Sequence, residues 1–341
     1  MKKPVFILGS HKSGTTLLRS LLDNTPELFT IPIESHIFEH LGYWVNYALR
    51  QQPPKEVSVE EVLNRIVSAI NTSNKKTSQY TKFGDDGLPK NAWDVDLFSK
   101  KLNAYCSEEL RQGNISKFIF GYFKSIYWSL INEKPPEEQR FVEKSVENAE
   151  FANLLNSLIV DCKFIHIVRN PYANLVSIRK YVQLRKVYPF LGTIVQAMEN
   201  NYYYASMNSK TLSQYKVLRY EDLVLNTERE MRSISDFIEV PFHANMLSPT
   251  ILGNPWKGNS VSGKSFESVS SDPIHRWEKT INPIEIFTVN LFFDHILDTF
   301  NYSQIPYASI PLRPNKFENI RTYFANRFYL LTSLKVKNSY K

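Results

Sequence analysis

The stretch Gly9-Ser10-His11-Lys12-Ser13-Gly14-Thr15-Thr16 has the glycine spacing of a phosphate-binding loop, in which backbone N–H groups and a helix N-terminus hold anionic oxygens. It lacks the lysine of G-x-x-x-x-G-K-[ST]: Thr15 stands there, and a lysine occurs three residues earlier at Lys12. A nucleoside triphosphatase would thereby lose the lysine that reaches the transferred phosphate. A plain strand-to-helix turn is the alternative reading of the loop. A second signal is Val168-Arg169-Asn170-Pro171, which joins an apolar run to a helical one, with Asn170 as N-cap and Pro171 in the first turn. Ser177 follows Asn170 by about two helical turns, shares the face of the cap and can join Arg169 in gripping one anionic group. Glu34, Lys144 and Tyr220 also follow apolar runs. A carboxylate, an ammonium and a phenol therefore meet the loop if those runs are strands of one sheet.

The elements that must position these groups are legible from periodicity. Val5 to Leu8, Leu28 to Ile33, Phe141-Val142, Phe164 to Val168 and Val217-Leu218 read as strands. Val59 to Ile70, Val95 to Leu110, Ala149 to Val160, Pro171 to Val187 and Glu228 to Ile238 read as helices. Strands alternating with helices predict an α/β fold, a single doubly wound parallel sheet of about five strands with helices on both faces. In such sheets ligands sit beyond the carboxyl ends of the strands, where every candidate above lies. The stretch from about residue 44 to 134 is helical and reads as an insert between sheet strands. Leu252 to Ser271 is rich in Gly, Asn and Ser, the composition of a long functional loop.

Composition is that of a globular protein, with 43% apolar and 22% charged residues. Cys106 and Cys162 have no close Cys or His at ligand spacing, so neither a disulfide framework nor a metal site is expected. The net charge of +7 is concentrated at the end: residues 311–341 hold seven basic residues and one acid, leaving 34 basic against 33 acidic residues before them. In this tail Phe317, Ile320, Phe324, Phe328, Leu331 and Leu334 recur at three and four residues, while Arg313, Lys316, Arg321, Arg327, Lys335 and Lys337 surround them. The pattern predicts an amphipathic helix that either docks on the protein's own body or lies on a membrane. No stretch reaches the roughly 18 apolar residues of a membrane span. Nucleic-acid binding has only this tail in its favour, with no recognised motif, and is not expected.

Phe6 to Arg19 resembles the 5′-phosphosulfate loop of sulfotransferases that use 3′-phosphoadenosine 5′-phosphosulfate (PAPS), and Ile167 to Ser177 resembles their 3′-phosphate motif. Tyr220-Glu221-Asp222-Leu223 is similar to a further family element, and Trp256 to Ser262 with Arg276-Trp277 to the loop and helix that close over the nucleotide. The resemblance spans residues 4 to about 302 and leaves the insert unmatched. It implies the P-loop-like sulfotransferase fold over residues 1–310, followed by the tail, 311–341. It further implies that Lys12, Ser13, Gly14, Thr15 and Thr16 hold the 5′ end of PAPS and Arg169 and Ser177 the 3′-phosphate, with Tyr220, Ser260 and Lys264 around the nucleotide. Many relatives have Arg where Lys12 stands, which keeps the charge but loses the planar fork.

Ile33-Glu34-Ser35-His36-Ile37-Phe38 is similar to the carbohydrate and protein-tyrosine branch, where a glutamate shortly after the first helix is the base. On that resemblance Glu34 is the expected general base, brought beside the first loop by pairing of the second strand with the first, with His36 in reserve. Lys144 resembles a family lysine that contacts the transferred sulfuryl group; a surface lysine is the alternative. The implied reaction is transfer from PAPS to an acceptor hydroxyl, leaving 3′-phosphoadenosine 5′-phosphate (PAP), with no metal because cationic side chains neutralise the charge. A carbohydrate or glycolipid acceptor is expected first and protein tyrosine second. A kinase or phosphotransferase on the same scaffold, or a nucleotide-binding scaffold without catalysis, are the alternatives. The expected setting is the bacterial cytoplasm, with peripheral contact at the inner face of the membrane as an option.

Overall fold

Along the first strand, side chains alternate between two apolar layers, Phe6 and Leu8 facing one and Val5 and Ile7 the other. The computed structural model describes residues 2–43, 54–75, 88–183, 188–256, 258, 268–306, 309–310, 313–314 and 318–339. In chain order it forms β1 (Val5–Gly9), α1 (Thr15–Leu22), β2 (Leu28–Thr30), α2 (Ile37–His40), α3 (Val59–Asn74), α4 (Val95–Arg111), α5 (Ile115–Ile131), β3 (Arg140–Lys144), α6 (Ala152–Leu158), β4 (Lys163–Val168), α7 (Pro171–Gln183) and α8 (Leu191–Thr211). There follow β5 (Tyr215–Arg219), α9 (Tyr220–Leu225), α10 (Thr227–Ile238), α11 (Pro283–Phe292), α12 (Asp294–Thr299) and α13 (Ile320–Ser339). The five strands make one parallel sheet in the order β2-β3-β1-β4-β5. The order reverses at β1, so the loops after β1 and β4 flank the switch point where doubly wound sheets take their ligands.

One layer is aromatic: Phe6 stacks on Phe164 at 5.7 Å and meets Phe123 of α5, while Phe29 and Phe123 both approach Phe141. Burying each such ring is worth about 1.5–3 kcal/mol. The insert therefore supplies one face of the sheet's core. Its helices α3 and α4 begin on side-chain caps, Ser58 accepting from Glu61 N–H at 3.2 Å and Asp94 from Leu97 N–H at 2.9 Å. Gly121 lets α5 run close to α4, since a Cβ there would lie 2.9 Å from the Tyr105 carbonyl oxygen. The other layer packs α1, α9 and α10 on Val5, Ile7, Val142 and Ile165. A third cluster joins α7, α8, α11 and α12 to Leu330 of α13.

Three expectations need correction. The second strand does not pair with β1: β3 lies between them. Pro32, which has no N–H to give, follows so closely that β2 ends at Thr30 rather than Ile33. Ile31 N–H still bonds the Val142 carbonyl at 2.8 Å, and the chain then crosses the end of β3, where Ser35 N–H bonds Ser145 Oγ at 3.0 Å. The helix expected from Ala149 is split into a 3-10 turn, Val146–Ala149, and α6. Finally, α13 docks through the side opposite to much of the expected stripe: Leu330 and Asn326 are fully buried, whereas Ile320, Phe324, Phe328 and Leu331 are exposed and Leu334 is half-buried. Phe317 and Lys316 lie outside the described residues.

Candidate active site

The first loop closes tightly on itself before α1. Lys12 takes a left-handed conformation (φ 63°), Ser13 Oγ donates to the Ser10 carbonyl at 2.8 Å, and Gly14 follows at φ 109°. A Cβ on Gly14 would sit 2.4 Å from the Tyr220 ring, so only glycine allows α1 to begin there. The first backbone N–H groups of α1, from Thr15 onward, have no intrahelical acceptor, as at any helix start. Buried Asn174 of α7 anchors the loop from below: its Nδ2 donates to the His11 carbonyl at 2.9 Å and its Oδ1 accepts from Ser10 Oγ at 2.8 Å.

Arg169 crosses the switch point. It donates to the Lys12 carbonyl at 2.8 Å and the Pro273 carbonyl at 3.3 Å, and lies 4.4 Å over the Tyr220 ring. Among the described residues its buried Nε has no hydrogen-bond partner, as expected of a donor kept for an anion. Asn170 caps α7 as expected, accepting from Tyr172 N–H at 3.0 Å. Glu221 holds the same turn from the end of β5, accepting from Asn170 N–H at 3.0 Å and from Tyr302 OH at 2.8 Å. Ser177 lies on the flank of α7 that carries Asn174 and Tyr181, three residues after the one and four before the other. Lys12 Nζ sits 4.7 Å over the Tyr181 ring, which ties the loop to this flank.

Beside the loop lies a buried array of charge. Glu34 is 8% exposed and Lys144 1%, and Lys144 Nζ donates to Glu34 Oε1; the surface-lysine alternative is thus excluded. His36 stands among three carboxylates, with Nδ1 donating to Glu147 Oε1 at 2.5 Å and lying 3.9 Å from Glu39 Oε2, and Nε2 3.8 Å from Glu34 Oε2. Burial opposes ionisation of Glu34, but Lys144 and His36 outweigh it and hold the carboxyl below its usual range. Burial likewise opposes the charged form of His36, yet Glu147 prevails and raises it to about 9. His11 of the first loop interacts electrostatically with both Glu34 and Glu147. Adjacency of Glu34 to the loop, expected from strand pairing, is achieved by the crossing over β3 instead.

Sequence reasoning missed the scaffold under this array. Glu143, wholly buried, accepts from Ser35 Oγ at 2.7 Å, Ser35 N–H at 3.1 Å, Ser145 Oγ at 2.5 Å and Asn148 Nδ2 at 2.7 Å. These bonds lock residues 34–36 to the end of β3. The signal was available in Val142-Glu143-Lys144-Ser145, three polar residues closing a strand that the fold buries on both faces. Glu34, His36 and Glu147 offer ligand atoms within 4.8 Å of one another. Lys144 and the imidazolium already neutralise those carboxylates, so the group reads as ion pairs. Ser260 and Lys264 lie outside the described residues.

The arrangement is an anion-binding loop at a switch point, an arginine across from it, and a buried carboxylate, ammonium and imidazolium to one side. The family model described as "Sulfotransferase family" matches residues 4–244. Among solved structures, the sulfotransferase domain from the Synechococcus PCC 7002 olefin synthase is similar at 20% identity and a TM-score of 0.52, over 90% of this chain and 98% of that one. The sulfotransferase domain from the curacin biosynthetic pathway is similar at 19% identity and a TM-score of 0.53, over 89% and 99%. At these identities the likeness shows a shared fold. No curated protein matches the chain.

Proposed function

The chain belongs to the sulfotransferase family, and from that premise we propose that it moves a sulfuryl group from PAPS to a carbohydrate or glycolipid hydroxyl, with Glu34 as general base. The observation that carries the assignment of Glu34 is its hydrogen bond with Lys144, which joins the expected base to the expected sulfuryl-binding cation at the edge of the loop. In this reading the loop from Gly9 to Thr16 holds the 5′-phosphosulfate and Arg169 with Ser177 the 3′-phosphate. The Nε of Arg169, without a partner among the described residues, and the grip of its guanidinium on the Lys12 carbonyl support that role. Tyr220 supports both, touching the position of Gly14 and the guanidinium.

The acceptor oxygen attacks sulfur in line with the leaving phosphate oxygen, its proton passing to Glu34 as the new S–O bond forms and the old one breaks to release PAP. Lys144 and Lys12 neutralise charge developing on the sulfuryl oxygens and on the leaving phosphate, and such fixed charge lowers the barrier more than any other single device of a site like this. His36, held as a cation by Glu147, suits orientation of Glu34 better than proton acceptance, because a protonated imidazole has no free lone pair. No described helix is long and apolar enough to cross a membrane. The test is transfer of label from ³⁵S-PAPS to a panel of glycans, glycolipids, tyrosyl peptides and simple aliphatic alcohols. Labelling confined to tyrosyl peptides would overturn the carbohydrate acceptor, and labelling that needed ATP and magnesium would overturn the donor.

A further inference from the structure

Helix α13 carries an apolar face that no described residue covers. Ile320 is 77% exposed, Phe324 63%, Phe328 71% and Leu331 57%. Spacings of three and four residues align them along one side of the helix. Isolated exposed apolar residues are ordinary; a continuous row is the mark of an interaction surface. Weak attachment of the helix is not the cause. Leu330 is fully buried, Asn326 accepts from Leu191 N–H at 2.8 Å, and Lys337 bonds Asp294 at 2.7 Å. These residues hold α13 by its opposite side and fix the row outward.

The charge of the exposed side decides the occupant. Arg321 and Lys335 are exposed there, and Ile320–Ser339 contains no Asp or Glu. The two acids at its ends, Glu318 and Asp294, are already paired with Arg327 and Lys337. A second copy of the same face would bring cation against cation. An anionic bilayer answers both features, taking up the apolar row and meeting the basic residues at the level of its headgroups.

We propose that α13 seats the enzyme on an anionic lipid surface through Ile320, Phe324, Phe328 and Leu331, with Arg321 and Lys335 at the headgroups. The inference stands apart from the choice of acceptor. Its test is co-sedimentation of the full chain, at low salt, with vesicles of phosphatidylcholine alone and of phosphatidylcholine and phosphatidylglycerol in equal parts. Binding is expected to the mixed vesicles and to fall as salt rises. Arg321→Gln and Lys335→Gln should each weaken it about fivefold, and Phe324→Ser with Phe328→Ser should abolish it while the melting curve stays unchanged. Failure of the full chain to bind mixed vesicles, or undiminished binding by the double serine variant, would overturn the proposal. So would a dimer in light scattering that Phe328→Ser dissolves without any vesicle binding, because the face would then belong to a second copy.

Discussion

Lys144 donates a hydrogen bond to Glu34 where almost no solvent reaches either side chain, the lysine being 1% exposed and the glutamate 8%. Two such charges are tolerable out of water only together. Removing one leaves the other buried and uncompensated, at a cost of about 3–5 kcal/mol, whereas replacing both by neutral groups is often nearly free. Lys144→Met is therefore expected to lose stability on that scale, and Lys144→Met combined with Glu34→Gln to recover most of it. Urea unfolding of the four proteins of the cycle gives the coupling directly; losses that simply add would show that the pair does not act as a unit.

Glu34→Gln separates chemistry from binding. The amide keeps the size of the carboxylate and still accepts a hydrogen bond from Lys144, but it takes no proton. Turnover should fall by about 10²–10⁴ while PAP affinity is retained. Steady-state transfer and calorimetric PAP titration on one preparation are sufficient. An equal fall in PAP affinity would assign Glu34 to the nucleotide site instead.

The strands and the phosphate loop were legible because their signals are local: apolar alternation in Val5 to Leu8, glycine spacing in Gly9 to Gly14, and the Asn170-Pro171 cap all act within a few residues. Strand order was not. Nothing in Leu28–Thr30 states that it pairs with β3, more than a hundred residues later, and not with β1. The same limit hid Glu143, whose partner Ser35 is 108 positions away; a carboxylate at a strand end looks solvated until the donors that satisfy it are brought up by the fold. In the tail the helical period was plain, but α13 is apolar on both sides, so periodicity alone could not say which side docks.

Arg169 is expected to separate PAP from ADP. An arginine contact to a phosphate is worth about 1.5–3 kcal/mol, or one to two decades of affinity, and ADP has no 3′-phosphate to receive it. Arg169→Ala should bring the two ligands close together, and Arg169→Lys should recover only part of the difference, since an ammonium cannot hold the Lys12 carbonyl and an anion in the same planar fork. Wild-type protein that binds PAP and ADP equally would remove the 3′-phosphate role from this residue.

The pair His36–Glu147 makes stability depend on alkaline pH. Burial disfavours the imidazolium, but Glu147 at 2.5 Å raises the group to about 9, against about 6.5 in the unfolded chain. The folded state thus binds the proton more tightly. Its contribution, about 3 kcal/mol, is fully present below pH 6.5 and is lost as pH rises through about 9. Glu150, raised to about 8 chiefly by burial, acts in the same direction but over a lower window that ends near its own value. Unfolding free energy should therefore keep falling between pH 8 and 9, and His36→Gln should flatten that last segment. An NMR titration of the His36 ring is the sharper measurement: a midpoint near 9 is expected in the native chain, falling toward or below the ordinary histidine value in Glu147→Gln, where burial is opposed only by Glu34 and Glu39. A native midpoint near 6.5 would mean that His36 is neutral at working pH and would return it to candidacy as the base.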